Sequence, residues 1–357
     1  MDIYKNYELI RCNHLEGLQI TFNNIKPLIE RLDKNVFTTE IIGYSEGLVP
    51  INRVVFGTGK IKIMMWTQMH GDESTATKSV FDLFNFVNSK EFTNVTNVLL
   101  EKCTFYIIPM LNPDGSALYT RENIHGLDLN RDAKTQKNSE SKILMEQINT
   151  VKPNFGFNLH DQSSYYNVEG TENVATISLL APSADSDRSL TDSRKIAMSV
   201  IVSINDVLQT YIPNQVGRYS DTFCDNCFGD TIQSMGYPTI LIESGHFPND
   251  LNREFTRKLH TIALIQSLTA IANGSLPDYQ KYFDIPSNEK RFYDKKIENV
   301  IYNGVLTSVG VRTLNVLRDG KLVEIINEAD IIEGNELKGN LFHEVIDAKG
   351  IDFTKFS

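Results

Sequence analysis

Lys62-Ile63-Met64-Met65-Trp66-Thr67-Gln68-Met69-His70-Gly71-Asp72-Glu73 is an apolar run that ends in a turn and in two residue types that bind metals. The part up to Thr67 predicts a buried strand. His70 and Glu73 then stand just past the strand end, three positions apart, where an imidazole and a carboxylate close on one ion. Gly71 between them lets the chain bend sharply.

Outward from that stretch, strands and helices alternate. Upstream, Ile20, Phe22, Ile25, Leu28, Ile29 and Leu32 recur at helical spacing between Gly17 and Leu32, with Pro27 inside. Val36 to Ile42 and Ile51 to Phe56 are β-rich and predict strands. Downstream, Ser74 to Val87 predicts an amphipathic helix that places Val80, Leu83, Phe84 and Val87 on one face. Cys103 to Met110 predicts a strand, ended by the turn residues Asn112-Pro113-Asp114-Gly115. Helices are expected over Ser139–Thr150, Leu190–Tyr211, Thr222–Met235 and Arg253–Ala272, the last capped by Asn273-Gly274. Strands are expected over Phe155–Leu159, Ala175–Leu180 and Thr239–Ile242.

This order predicts an α/β fold, a mixed, largely parallel sheet flanked by helices. Such sheets hold their ligands beyond the carboxyl ends of the strands. His70, Asn112, His160 and Glu243 all fall at such ends. After Pro277 the texture changes. Pro286-Ser287-Asn288 reads as a linker, followed by short β-rich segments between Gly, Asn and Asp turns. We expect a catalytic domain over residues 1–285 and a small β-rich appendage over 290–357.

Composition narrows the function classes. The chain has 357 residues, 41% hydrophobic and 22% charged, enough to bury a sizeable core. A formal net charge of -10 without a basic stripe argues against a nucleic-acid partner. No apolar run is long enough to span a membrane, and the first residues show no signal peptide. With four cysteines and no disulfide framework, a cytoplasmic setting is expected.

Three further stretches carry chemistry. Arg121-Glu122-Asn123-Ile124-His125-Gly126-Leu127-Asp128-Leu129-Asn130-Arg131 packs two arginines and amides together, His160 ends a strand, and Glu243 emerges from an apolar strand. A catalytic zinc needs three protein ligands and an open position. His70, Glu73 and His160 supply a His₂Glu set for one zinc ion per chain. Glu243 is then the free carboxylate for moving a proton. Nearby arginines suit a substrate carboxylate or a developing oxyanion.

These motifs, in this order over about residues 60 to 250, resemble the M14 family of zinc carboxypeptidases. The matching elements are His70-Gly-Asp-Glu73, Asn112-Pro-Asp-Gly115, Gly126-Leu-Asp-Leu-Asn130-Arg131, His160 and Glu243. The resemblance implies a zinc carboxypeptidase-like fold and removal of C-terminal residues from peptides. It implies zinc on His70, Glu73 and His160, Glu243 as general base, and Arg121 polarising the scissile carbonyl. It also implies that Asn130 and Arg131 grip the substrate's terminal carboxylate. Tyr219 stands near the position of the family's mobile tyrosine, but without its Gly/Ser-rich context. Phe228 and Asp230 are candidates for setting the side-chain preference. The spacing from Arg121 to Asn130-Arg131 looks like the cytosolic carboxypeptidase branch.

An alternative is the aspartoacylase and succinylglutamate desuccinylase group, which has a similar zinc set and a small β-rich C-terminal domain. Its substrates would be N-acyl amino acids. A non-catalytic binding protein is a third reading. Four features have plainer explanations. His125 reads as a loop residue, and His246 as either structural or pocket-lining. Cys224-x-x-Cys227 reads as two partly buried thiols on a helix. Gly43-Tyr44-Ser45-Glu46-Gly47 matches a serine-hydrolase elbow but runs into Leu48-Val49-Pro50 and another strand, not a helix.

Overall fold

The computed structural model describes residues 2–356. An eight-stranded mixed sheet is built from β1 (Thr38–Tyr44), β2 (Pro50–Phe56), β3 (Ile61–Thr67), β4 (Cys103–Ile108) and β5 (Phe155–Asp161). The short β6 (Tyr166–Val168) lies apart, and β7 (Ile177–Leu180), β8 (Val216–Arg218) and β9 (Thr239–Ser244) complete the sheet. Its order is β1-β2-β4-β3-β5-β9-β7-β8, with β4, β3, β5 and β9 mutually parallel. The parallel centre is why its strands are apolar on both faces. Along β3, Ile63 and Met65 enter one core while Met64 and Trp66 enter the other.

The helices are α1 (Phe22–Glu30), α2 (Thr75–Asn88), α3 (Thr93–Lys102), α4 (Pro113–Leu118), α5 (Ser139–Val151), α6 (Asp192–Leu208), α7 (Phe228–Ser234) and α8 (Glu254–Asn273). One face of the sheet is covered by α2, α6 and α8, with Phe84, Ile201 and Leu264 buried beneath. The other carries α5 and α7, whose Leu144, Ile148, Phe228 and Ile232 pack on Met64 and Trp66. Among the described residues no helix is long and apolar enough to cross a membrane.

Arg257 of α8 ties the first core together. It meets the Asp82 carboxylate at 2.5 Å and 2.8 Å and donates to the carbonyls of Cys12 and Leu15. Its remaining Nη1 donor meets Glu254 Oε2 at 3.0 Å, so the ion pair is hydrogen-bonded on all sides.

The C-terminal sheets have their own small core of Ile297, Val300, Val309 and Val311. A four-stranded sheet joins β11 (Phe292–Tyr302), β12 (Val305–Val311), β15 (Ile332–Glu333) and β16 (Leu341–Asp347). Between them β13 (Thr313–Arg318) and β14 (Lys321–Ile326) make a hairpin. The Pro286-Ser287-Asn288 stretch is not a free linker. Arg218 N donates to Pro286 O at 2.7 Å, and β10 (Asn288–Lys290) pairs with β6.

Two local expectations change. The helix expected over Thr222–Met235 begins only at Phe228, because a Cys224–Cys227 disulfide closes a turn before it. Those cysteines are therefore not free thiols; Cys12 and Cys103 are the free ones. The helix expected over Gly17–Leu32 starts at Phe22, where Thr21 and Asn24 form a capping box.

Candidate metal centre and active-site cleft

Past Thr67 the chain turns through Gln68, which takes a left-handed conformation at φ 48°. Its buried amide is fully occupied: Nε2 donates to Ile20 O and Gly71 O, and Oε1 accepts from Thr77. These bonds hold the turn that presents His70 and Glu73 ahead of α2. Gly71 has another role than the expected bend. A Cβ there would lie 2.0 Å from the Gly115 carbonyl carbon, so Gly71 is needed for close backbone approach.

His160 comes from the end of β5, and Glu243 is its register partner on β9. Register partners point to the same face of the sheet, so the two side chains stand side by side. His70 Nδ1 meets Glu73 Oε1 at 2.7 Å, and His160 Nδ1 meets Glu73 Oε2 at 2.7 Å. One ligand atom from each of the three lies within 4.8 Å of the others.

Whether this set fits a metal is decided by the protons. Asp128 Oδ1 is 3.1 Å from His70 Nε2, which keeps the proton of a neutral ring on that nitrogen. The Nδ1 lone pair then faces the Glu73 carboxylate, an arrangement that calls for a cation. Burial opposes charge on His70, but Glu73 and Asp128 outweigh it and raise the imidazole to about 9. Burial would also raise Glu73, yet the two histidines hold it well below the carboxylate range. Two imidazoles and one carboxylate, buried and converging without a fourth protein ligand, are the donor set of a catalytic zinc. They fit that ion.

Arg121 lies at the edge of the cluster. Nε and Nη2 hold Asp128 Oδ2 at 3.1 and 3.0 Å, and Nη1 stands 3.2 Å from His70 Nδ1. Asp128 thus aligns both the histidine and the arginine. Asn130 and Arg131 sit on the same wall. Asn130 Oδ1 accepts from Phe228 N at 2.9 Å, while Arg131 Nη1 donates to Asn130 O and lies 3.2 Å from Cys227 Sγ. The Arg131 side chain is 55% exposed, so its remaining donors are free to meet a ligand.

Tyr219 follows β8 and lines the same cavity, its hydroxyl 2.9 Å from that of Tyr166. Glu243 is buried, and burial together with the charge of Glu73 pushes its carboxyl well above the usual range. The cavity of about 660 Å³ brings together His70, Glu73, Arg121, Asn130, Arg131, His160, Tyr219 and Glu243, and Asp230 lines it too, whereas Phe228 packs in the core.

Asp161 points to the opposite face from His160. Its backbone N–H donates to Glu73 Oε2 at 3.1 Å, and its carboxylate accepts from Thr75 Oγ1 at 2.7 Å. It steadies the ligand turn from behind. His246 lines the cavity and packs on His343 at 4.1 Å, whereas His125 lies outside, 3.5 Å from Glu46.

Several participants were not singled out from sequence. Asp128 lay unassigned inside the quoted motif, and Tyr166 sits on a strand of three residues, too short for a periodic signal. Asn158, on the same face of β5 as His160, was readable from strand alternation alone. Thr313, Leu314, Asn315 and Glu324 bring the β13–β14 hairpin over the cavity, a long-range contact that no local pattern encodes.

The fold and cleft define a carboxypeptidase-like α/β protein with a candidate zinc site. A family model described as zinc carboxypeptidase, peptidase M14, matches residues 25–170, a span that includes His70, Glu73, Arg121, Asn130, Arg131 and His160. The match covers less than half of the chain and shows similarity to that family over this span.

A curated relative, carboxypeptidase SOL1 of Arabidopsis thaliana, is 26% identical over 117 residues. The chain spans only about a quarter of that protein, the match covering 29% of this chain and 24% of the relative. A metallo-carboxypeptidase from Burkholderia cenocepacia aligns with a TM-score of 0.56 at 18% identity, covering 70% of this chain and 67% of that one. A metallo-carboxypeptidase from Pseudomonas aeruginosa, in complex with (2-guanidinoethylmercapto)succinic acid, gives 0.57 at 14% identity, covering 72% and 70%. Carboxypeptidase A from Helicoverpa armigera gives 0.53 at 14%, covering 77% and 82%. At these identities the structural likeness is one of fold.

Proposed function

We propose that this chain is a zinc-dependent hydrolase that removes C-terminal residues from peptides. The observation that carries the reading is the convergence of His70, Glu73 and His160 ligand atoms beside the buried, unpaired Glu243 carboxylate. Zinc held by those three residues supplies Lewis acidity to the attacking water and to the scissile carbonyl.

The protein's own groups do the rest. Glu243 takes the proton of the attacking water and delivers it to the leaving amine; its raised affinity for protons suits that shuttle. Arg121, aligned by Asp128, donates to the carbonyl oxygen as negative charge develops there. Asn130 and Arg131 receive the substrate's free carboxylate, which sets the cut one residue from the end. Tyr219, held by Tyr166, closes against the bound residue and limits water in the cleft. A fold relative solved with a succinic acid derivative agrees with a carboxylate-accepting site.

A second reading, deacylation of N-acyl amino acids, is favoured by the β13–β14 hairpin, whose Thr313, Leu314, Asn315 and Glu324 narrow the cavity. Mass spectrometry of a mixed pool of peptides and N-acyl amino acids, with and without a zinc chelator, separates the two. Chelator-sensitive loss of single C-terminal residues supports the first. Cleavage confined to N-acyl amino acids supports the second, and no turnover with zinc verified in the protein contradicts both.

A further inference from the structure

The β13–β14 hairpin stands over the cleft, and its own sequence register shows which side faces in. Asn315 is the cross-strand partner of Glu324, and Thr313 lies two residues before Asn315, so the three share one face of the hairpin. All three line the cavity that holds the ligand cluster, together with Leu314, whose apolar side chain is 43% exposed.

This roof is fastened at its root. Asp294 of β11 joins it to the catalytic domain, one oxygen accepting from Ser164 Oγ at 2.6 Å and the other from Thr313 N at 2.8 Å. Glu324 accepts from Thr313 Oγ1 at 3.0 Å and pairs with Lys295. Arg312, just before the hairpin, sets its guanidinium over the rings of Tyr165 at 4.2 Å and Tyr293 at 4.3 Å. Phe292 N donates to Tyr165 O at 3.1 Å, and His343 Nε2 to Ser164 O at 2.9 Å. Ser164 and Tyr165, between β5 and β6, thus carry contacts from β11, β16 and the hairpin root. Lifting the hairpin breaks several of these at once.

Ser164 and Tyr165 themselves line the cavity. Among the described residues no hydrogen bond joins the hairpin to Asn130, Arg131 or the Cys224–Cys227 turn. A peptide whose carboxylate rests on Asn130 and Arg131 has its scissile carbonyl at the ligand cluster and Arg121. Its remaining residues then run into the part of the cavity lined by Ser164, Tyr165 and the hairpin. Each further extended residue adds about 3.3–3.6 Å of chain. The cavity of about 660 Å³ is of the size that encloses one small ligand.

Accepting the peptidase reading, on which this inference rests, we infer that the β13–β14 hairpin is a length filter that confines the substrates to short peptides. A dipeptide or tripeptide fits beneath the roof. A longer chain meets Leu314 and Asn315, and the C-terminal tail of a folded protein is kept out. The selection acts by obstruction and not by affinity for any particular residue.

The test uses the zinc-loaded full chain and di-, tri-, hexa- and decapeptides that share their last two residues. From tripeptide to decapeptide, kcat/KM is expected to fall by about tenfold or more. Leu314→Ala combined with Asn315→Ala widens the roof and should raise the decapeptide/dipeptide ratio, whereas Asn315→Trp should lower it. Both sites are exposed strand positions, so the fold tolerates these changes. Equal kcat/KM at every length, or a ratio that neither variant moves, overturns the inference while leaving the peptidase reading intact. If no peptide of any length is trimmed, that reading fails, and calorimetric binding of dipeptide against decapeptide to the zinc-loaded chain still decides the filter. Tighter binding of the dipeptide, levelled in the widened variant, supports it; equal binding, or none of either, overturns it.

Discussion

Asp128 Oδ1 lies 3.1 Å from His70 Nε2, on the ring edge opposite the nitrogen that faces Glu73. The same carboxylate holds Arg121, so one residue orients a candidate ligand and a candidate catalytic cation. Burial would raise Asp128, but His70 and Arg121 outweigh it and keep it ionised well below the usual range. Asp128→Ala should weaken zinc binding by about ten- to a hundredfold, the usual cost of losing a partner behind a ligating histidine. Competition with a chromogenic chelator measures this, and unchanged affinity would show that His70 is aligned by packing alone.

Glu243 is placed to move protons and not to bind the ion. Glu243→Gln keeps shape and hydrogen bonding while removing the base, so turnover should drop by about 10²- to 10⁴-fold. Zinc content, read by mass spectrometry of the purified variant, should stay at the native level. Loss of the metal in Glu243→Gln would instead make this residue part of the binding set.

Arg131 offers a half-exposed guanidinium whose lost contact to a carboxylate is worth ~1.5–3 kcal/mol. Arg131→Ala should therefore raise KM about ten- to a hundredfold, with a smaller change in kcat. An unchanged KM would make Arg131 a structural residue of the cleft wall.

The Cys224–Cys227 turn backs that arginine. Besides the 3.2 Å contact to Cys227 Sγ, Asn226 Nδ2 donates to Arg131 O, and its Oδ1 accepts from Lys134 N at 2.8 Å. Opening the turn, by reduction or by Cys224→Ser with Cys227→Ser, should raise KM severalfold while circular dichroism stays native. Equal KM for oxidised and reduced protein would disconnect the disulfide from the clamp.

His260 of α8 governs part of the acid sensitivity. It is fully buried, its Nδ1 is 2.7 Å from Ser244 Oγ and its Nε2 has no partner; burial pushes it down to about 3. The unfolded chain binds this proton near pH ~6.5, whereas the fold refuses it until about 3. Its contribution is thus complete above pH ~6.5 and is lost as pH falls, at up to about 1.4 kcal/mol per unit. Denaturant unfolding at pH 7 and pH 5 should show a smaller loss of stability in His260→Leu than in the native chain. Equal losses would contradict this assignment.

Much of this was legible in the sequence because the relevant side chains follow β-rich apolar runs. Met64 to Trp66 and Ile240 to Ile242 announce central parallel strands, and His70, His160 and Glu243 mark where they stop. What escaped were contacts with no local period. Tyr166 reaches Tyr219 from a strand of three residues, and the hairpin residues Leu314 and Glu324 arrive from the far end of the chain. The spacing of Cys224 and Cys227 was read with the helix that follows, although the turn they close prevents helix before Phe228. Asn158 was reachable by counting two back from His160 on the same strand face, but as an ordinary polar residue in a buried strand it drew no notice.

The central claim is that His70, Glu73 and His160 hold one zinc ion that this protein needs to shorten peptides. The most direct measurement is a titration of zinc into chelator-stripped protein while peptide loss of C-terminal residues is followed by mass spectrometry. The account predicts that trimming returns with one equivalent of zinc in the native chain and does not return in Glu73→Gln. Trimming by metal-free protein, or equal recovery in Glu73→Gln, would contradict it.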